Sequence, residues 1–162
     1  MKLPTTLAVL LYIAVLAGCA SPRAFAPGSS IVDVRARVGT PTDIRFDRNG
    51  DELWEYAQGP SGYETYLVRV GADGKVKEVT QILTEDQMMK IVPGTMTKAD
   101  ARNLLGRPSD QTFTGAGTVW SWRFYRFGVQ PGWLTVVFNP DNTVKERIAT
   151  IDPSGGSRSG SK

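Results

Sequence analysis

The stretch "NLLGRPSD", Asn103 to Asp110, has a counterpart earlier in the chain, "RARVGTPTD", Arg35 to Asp43. Gly106 lies 67 residues after Gly39, and the Pro and Asp that follow each glycine repeat at the same interval. A glycine directly after an apolar helical pattern, with a proline two residues later, is typical of a helix end. The two stretches therefore predict that a short helix stops at Gly39 and another at Gly106.

The repetition continues on the C-terminal side of both glycines, now at an interval of 68 residues. The matching positions are aromatic residues and turn residues: Trp54 with Trp122, Tyr56 with Phe124, and Asp73 with Asp141. Upstream, "PGSS" at Pro27 resembles "PGTMT" at Pro93. Because self-similarity at a fixed interval indicates a repeated structural unit, we interpret residues 31–83 and 84–152 as two copies of a small domain, the first of them degraded.

Two helix starts are visible in the second copy. Thr84 is followed three residues later by Gln87, and Thr97 by Asp100, which are capping-box arrangements. Apolar residues then supply the faces that we expect to point inward: Met88, Met89, Ile91 and Val92 in the first helix, and Ala101, Leu104 and Leu105 in the second.

Strands are predicted after each helix stop, because Asn49-Gly50, Asp73-Gly74 and the weaker Asp141-Asn142 are hairpin signals. In "TVWSWRFYRF" the alternation places Trp120, Trp122 and Phe124 on one face. The predicted strands cover 43–47, 52–58, 63–70, 75–82, 111–114, 118–127, 133–139 and 143–151. Half-buried antiparallel sheets are covered by helices on one face. The predicted class is α+β, with two repeated units of short helices packed on an antiparallel sheet.

Both ends of the chain differ from this globular composition. Residues 1–18 combine an early Lys2, an apolar run from Leu7 to Ala17 and small residues, which is the layout of a secretory signal peptide. Residues 19–30 are interpreted as a Pro/Ser-containing tether. Residues 153–162 are rich in Gly and Ser and contain no apolar residue, so a disordered tail is predicted there.

The single cysteine follows the apolar run, in "LAGC" from Leu16 to Cys19. This motif resembles the lipobox of bacterial lipoproteins, in which the cysteine thiol receives a diacylglyceryl group. The resemblance implies lipidation at Cys19 and anchoring by acyl chains of the palmitate type, and Ala20 at the next position implies sorting to the outer membrane, facing the periplasm. An ordinary signal peptide with an incidental cysteine is the alternative.

"PGTMTKADARNLLGRP", "VWSWRFYRF" and "TVVFNPDNTV" follow one another in the second copy. In this order they resemble the BamE (SmpA/OmlA) family of outer-membrane lipoproteins, well over residues 93–148 and in degraded form over 27–79. The family's fold implies two helices on a small antiparallel sheet, and tandem copies are similar to the β-lactamase-inhibitor-protein fold, with one concave sheet. The chain departs from the family because it carries two units, and its first unit lacks the leading helix unless the tether supplies it.

Several function classes are disfavoured by composition. The chain has no histidine, which excludes Ser-His-Asp and Cys-His catalysis and His-ligated zinc. "DRNGDE", Asp47 to Glu52, is better interpreted as a hairpin turn than as a calcium loop, because Glu52 stands where that loop needs glycine. A net charge of +3 is too weak to indicate nucleic acid. We therefore expect no enzyme activity, no catalytic residues, no metal site and no cofactor.

A protein-binding surface remains. "FYRFGVQPGW", Phe124 to Trp133, combines large apolar residues with a Gly- and Pro-containing loop, and aromatic residues and Arg are enriched at interfaces. The predicted partner-binding residues are Arg126, Phe127, Val129 and Trp133. The alternative is that they fill the contact between the two units. Met88, Met89 and Met96 form a second candidate surface, for which core packing is the favoured interpretation.

Two functions stay open at the level of sequence. The first is a non-catalytic accessory lipoprotein of the cell envelope that binds an envelope protein, with the β-barrel assembly machinery as the partner that the family resemblance implies. The second is an inhibitor-type or ligand-binding module that uses a concave two-unit sheet. They differ in the partner, which is a membrane complex in the first case and a soluble enzyme or ligand in the second.

Overall fold

The computed structural model describes residues 21–59, 61–115 and 117–152. Cys19, the predicted signal peptide and the predicted Gly/Ser-rich tail lie outside these residues. A 3-10 turn, Pro22–Ala24, precedes three helices: α1 (Ile31–Val38), α2 (Glu85–Met89) and α3 (Lys98–Leu105). The strands are β1 (Asp43–Phe46), β2 (Glu52–Ala57), β3 (Thr65–Val70), β4 (Val76–Gln81), β5 (Asp110–Thr114), β6 (Gly117–Arg126), β7 (Gln130–Phe138) and β8 (Val144–Ile151).

The eight strands form two four-stranded antiparallel sheets, in the orders β1-β2-β3-β4 and β5-β6-β7-β8. Within the described residues, 45% are strand and 18% are helix. The predicted α+β class with repeated units of short helices is therefore wrong, and the fold is mainly antiparallel sheet. The single concave sheet of the inhibitor-like arrangement is not found either, because no backbone ladder joins the two sheets in the part of the chain that the structure describes.

The helices make up a small share of the described residues because their stop signals come soon after their N-caps. α1 begins after Ser30, whose hydroxyl accepts the Val32 N–H, and ends at Gly39. α3 begins after Thr97 and ends at Gly106. Both glycines have positive φ, 99° and 77°, a conformation that side chains other than glycine's rarely adopt. The predicted helix stops are confirmed, and they limit each of these helices to eight residues.

In the first unit α1 and the preceding segment pack on one face of the β1–β4 sheet. Trp54 and Tyr56 are buried there, as predicted, and Val34 is the one fully buried residue of α1. The core cluster around them is apolar: Phe25, Tyr66, Val68, Val70 and Val76. The 3-10 turn at Pro22–Ala24 precedes α1 in this unit.

In the second unit α2 and α3 pack on the face of the β5–β8 sheet that carries the alternating aromatic residues. Trp120, Trp122 and Phe124 are all buried on that face, as predicted. The helices add Met88, Ile91, Ala101 and Leu105. Fully burying side chains of this size contributes about 1.5–3 kcal/mol each, so this cluster dominates the stability of the second unit.

The apolar face predicted for α2, the first helix of the second unit, is only half correct. Met88 and Ile91 are buried, whereas Met89 is 68% exposed and Val92 is 49% exposed. The helix ends at Met89, so the spacing that would turn Val92 inward on a longer helix does not apply. Leu104 and Met96 lie partly buried against the same core.

The two units repeat in geometry as well as in sequence. The Gly28 N–H donates to the Val76 carbonyl, and the Gly94 N–H donates to the Val144 carbonyl, each at 2.8 Å. The residue before each helix pairs with the following hairpin, Ser30 with Lys75 and Thr97 with Thr143. These contacts place α1 and α3 at equivalent points of their sheets, so the repeated residues correspond to repeated backbone contacts.

Candidate functional site

The predicted binding hairpin connects β6 and β7 through three residues, 127–129. Arg126 pairs with Gln130, and the Val129 N–H donates to the Arg126 carbonyl at 3.1 Å. Phe127 has φ of 50° and Gly128 has φ of 74°. An aromatic residue in this region is uncommon and costs about 1–3 kcal/mol. The turn is held by Glu85 at the start of α2, whose Oε2 accepts the Phe127 N–H at 2.9 Å.

The side chains at the tip point outward. Phe127 is 74% exposed and Val129 is 79% exposed, so neither fills the contact between the units. The Arg126 guanidinium lies 5.4 Å from the centre of the Phe127 ring, and its Nε lies 3.7 Å from Glu85 Oε1. The tip therefore presents two apolar groups beside a cation that is already positioned.

Trp133 has a different environment. It is half-buried on β7, and the Arg123 guanidinium lies 5.2 Å from its ring centre. The same guanidinium donates to the Tyr63 hydroxyl at 2.6 Å and to Asp152 Oδ2 at 2.8 Å. Tyr63 belongs to the first unit, and its ring stacks on Tyr125 at 4.6 Å. Trp133 thus lies under Arg123, which contacts Tyr63 of the first unit, while Arg126, Phe127 and Val129 lie together at the tip.

A second cluster between the units was not predicted. Glu55, on β2, is fully buried. Its Oε2 accepts hydrogen bonds from Arg45 Nη1 at 2.9 Å and Arg102 Nη1 at 2.6 Å, and its Oε1 accepts the Arg107 N–H at 2.7 Å. Arg102 also donates to Asp43 Oδ2 at 2.6 Å. We call these groups the Glu55 cluster; it joins the first sheet to the end of α3.

The sequence held one weak signal for this cluster. Glu55 stands between Trp54 and Tyr56, which both point to the opposite face of the sheet. A charged residue between two core aromatics is ordinarily solvent-facing on an antiparallel strand. The carboxylate is covered by Arg45 of the same sheet and by Arg102 and Arg107 at the end of α3, which lie far from it in sequence.

Asp47, Asp51 and Asp100 have structural roles. Asp47 Oδ1 accepts the N–H groups of Asn49 and Asp51, and Asp51 pairs with Lys77 at 2.7 Å, so Asp47 to Glu52 forms the hairpin turn that was predicted. Asp100 caps α3, and its hydrogen bonds from the Thr97 hydroxyl and N–H hold the pKa of the Asp100 carboxyl below its usual value. Among the residues described, no group of His, Cys, Asp or Glu is arranged to hold a metal ion.

A cavity lies beside the hairpin, and a second cavity adjoins it. One has a volume of about 290 Å³ and includes Gly128 of the turn and Tyr125 in its lining. The other, of about 600 Å³, runs along β4, the edge strand of the first sheet. They share Glu64, Gln81 and Thr84. Burial raises the pKa of the Tyr66 hydroxyl, which lines the larger cavity.

No described helix is long and apolar enough to cross a membrane.

Comparison with known proteins identifies no family. No family model matches the chain, and no curated protein matches it. A solved structure, of a DUF4309 family protein (YjgB) from Bacillus subtilis subsp. subtilis str. 168, is similar over 76% of this chain and 79% of that chain, at 17% identity. Its TM-score is 0.30, so it supports no conclusion about fold or function.

Proposed function

We propose that the chain is a bacterial outer-membrane lipoprotein that acts as a non-catalytic, protein-binding accessory factor of the cell envelope. It is held at the periplasmic face by lipid on Cys19. The lipid anchor rests on the sequence of Leu16 to Cys19, which lies outside the described residues. A hydrophobic anchor of several acyl chains is stable, since each buried CH₂ contributes about 0.8 kcal/mol.

The observation that carries the protein-binding part is the exposure of Phe127 and Val129 on a preformed turn. Burial of two large solvent-exposed apolar side chains by a partner is favourable, because apolar surface is removed from water. A turn fixed by Glu85 loses little conformational freedom on binding. The first partner to test is the β-barrel assembly machinery, which the family resemblance suggests.

The test is an affinity pull-down of the tagged, lipidated protein from gently solubilised envelopes, with mass spectrometry of the bound proteins. The Phe127→Ser, Val129→Ser double variant is expected to lose its specific partner. Val32→Ser, which changes a 71% exposed apolar residue on α1, serves as the matched control and should retain that partner. Retention by the hairpin variant, with unchanged thermal stability, would place the binding surface elsewhere.

A Cys19→Ser variant separates the anchor from the binding surface. Recovery of barrel-assembly subunits that is lost with this variant would support the accessory function. Recovery of one soluble enzyme from both forms would contradict it and favour the inhibitor-type module.

A further inference from the structure

The two sheets have four edge strands, and β5 is the least protected of them. Segments outside the sheets cover the start of two others: residues 28–29 hydrogen-bond to the main chain of Val76 on β4, and residues 94–96 to that of Val144 on β8. Charged side chains also hinder pairing of an edge strand with another chain. β1 and β4 each carry two charged residues and β8 carries three, whereas β5, "DQTFT", carries Asp110 alone, at its first position.

The outer main-chain groups of β5 are free. The ladder between β5 and β6 ends at the pair Thr114 and Gly117, next to the loop that joins the two strands. In an antiparallel ladder every second residue directs its N–H and C=O toward the partner strand, so the even-numbered residues of β5 face β6, while Gln111 and Phe113 direct theirs outward. Neither residue makes a main-chain hydrogen bond outside this ladder among the described residues. Free N–H and C=O groups at this spacing are the template on which an extended strand pairs.

An apolar side chain stands beside these groups. Phe113 is 76% exposed. It pairs with Thr118, two residues before Trp120, so its side chain lies on the same face of the sheet as the Trp120 ring. A segment paired with β5 would place one of its own side chains next to Phe113 on that face, where an apolar residue is favoured.

β5 also begins at a cavity of about 490 Å³. Asp110 and Gln111 line this cavity together with Thr42 and Gly59 of the first unit and residues 107–109. A single extended segment can follow the edge of β5 into the cavity, whereas the β5 strand of a second copy is fixed within its own sheet. Symmetric pairing of two copies would also cover one large apolar side chain of β5 per copy, far less contact than the about 1,600 Å² of a standard protein interface. The surroundings of β5 therefore favour an extended segment over a second copy.

We propose that the outer edge of β5 binds an extended segment of the partner protein, which adds to the second sheet as a fifth strand. Main-chain hydrogen bonds to Gln111 and Phe113 would hold the segment, and one of its apolar residues would cover the Phe113 ring. The inference rests on the proposed function, because it names the kind of segment that the protein partner supplies.

The test uses the full chain in non-ionic detergent and a fluorescein-labelled peptide that alternates Val and Ser and ends in two lysines. A control peptide has the same side chains and is N-methylated at every amide, which removes its main-chain N–H groups. Fluorescence anisotropy should report binding of the unmethylated peptide alone. In amide hydrogen exchange followed by NMR, this peptide should slow the exchange of the Gln111 and Phe113 amide protons.

Two pairs of variants separate the main chain from the side chain. Gln111→Pro removes one outward N–H and no hydrogen bond of the β5–β6 ladder, which an edge strand tolerates, and should weaken binding about two- to tenfold. Its control, Gln111→Ala, keeps the N–H and should bind like the unaltered protein. Phe113→Ser should weaken binding about two- to fivefold, whereas Phe46→Ser, at the equivalent and 69% exposed position of β1, should not.

Four outcomes would overturn the proposal: no binding of the unmethylated peptide, equal binding of the methylated one, unchanged affinity in Gln111→Pro, or an equal loss in Phe46→Ser and Phe113→Ser. Dimers in sedimentation that Gln111→Pro dissociates would also overturn it, because they would assign the edge of β5 to a second copy.

The envelope pull-down separates failure of this inference from failure of the proposed function. If the Phe127→Ser, Val129→Ser variant loses its partner while Gln111→Pro retains it, the partner binds through the hairpin tip and the edge of β5 has no part in it. Loss of the same partner in Gln111→Pro, with retention in Gln111→Ala, would support strand addition at β5.

Discussion

Replacing Glu55 by glutamine tests the contact between the two units. The substitution keeps the size of the side chain and removes its charge. In the native protein the two Glu55 oxygens accept three hydrogen bonds, from Arg45, Arg102 and the Arg107 N–H. Glutamine offers one acceptor oxygen and an NH₂ group that would face donors, so at least one guanidinium or N–H loses its partner.

The expected loss in the free energy of unfolding follows from the burial of Glu55 and its two arginine partners. Glu55 has no exposed side-chain surface, and Arg45 and Arg102 are 19% and 23% exposed. Breaking a fully buried ion pair by removing one partner costs about 3–5 kcal/mol. Because both arginines keep some contact with water, we expect the free energy of unfolding to fall by about 2–4 kcal/mol. For a chain of this size that lowers Tm by about 4–16 °C.

The assay is thermal and urea denaturation followed by circular dichroism, combined with a double-mutant cycle using Arg102→Met. The two side chains touch, so we expect a coupling energy of about 1–3 kcal/mol. Glu146→Gln, at an exposed carboxylate on β8, is the control, with a change in the free energy of unfolding within about 0.5 kcal/mol. A coupling energy below about 0.5 kcal/mol, or a stability loss no larger than that of the control, would show that the Glu55 cluster does not hold the units together.

Three further outcomes are expected. Gly106→Ala should lower the free energy of unfolding by about 1–3 kcal/mol, because φ is +77° and a Cβ would lie 3.0 Å from Glu55 Oε1. Gly128→Ala, with a similar φ and open space around it, should lower it less in the same denaturation experiment. Equal losses of stability in the two variants would contradict the packing argument. Leu134→Ala, in the core of the second unit, should lose about 2–5 kcal/mol, and a loss below about 1 kcal/mol in urea would show a poorly packed core. The lowered pKa of Asp100 makes its contribution to stability complete above the unfolded value near 3.8 and lost as pH falls through the folded pKa; an NMR titration should show this pKa rising in Thr97→Ala, and an unchanged pKa would exclude the hydroxyl as its main cause.

Local features of the fold were predicted closely. The eight predicted strands correspond to β1–β8 with ends that differ by at most three residues. The Thr97 capping box and the stops at Gly39 and Gly106 are present. These features depend on residues a few positions apart, whose hydrogen bonds and backbone preferences act wherever the segment lies in the fold.

The proportion of helix to strand was predicted less well. Caps and apolar faces mark where helices start, but α2 ends after five residues, which leaves Met89 and Val92 exposed and the protein mainly β. The structure places the predicted site residues in two environments. Phe127 and Val129 lie at an exposed tip, whereas Trp133 lies under Arg123, a contact that no alternation along one strand could distinguish from an exposed position.

The sequence by itself determined the repeated helix stop, the hairpins at Asn49-Gly50, Asp73-Gly74 and Asp141-Asn142, and the aromatic face of each sheet, because period, turn residues and caps are properties of contiguous residues. Only the tertiary structure decided that Glu55 is buried and that Arg102 and Arg107, which lie 47 and 52 positions away in the sequence, contact it. Such contacts depend on how two separately formed units are placed against each other. That placement is the sum of many weak long-range contacts, and no short pattern in the chain records it.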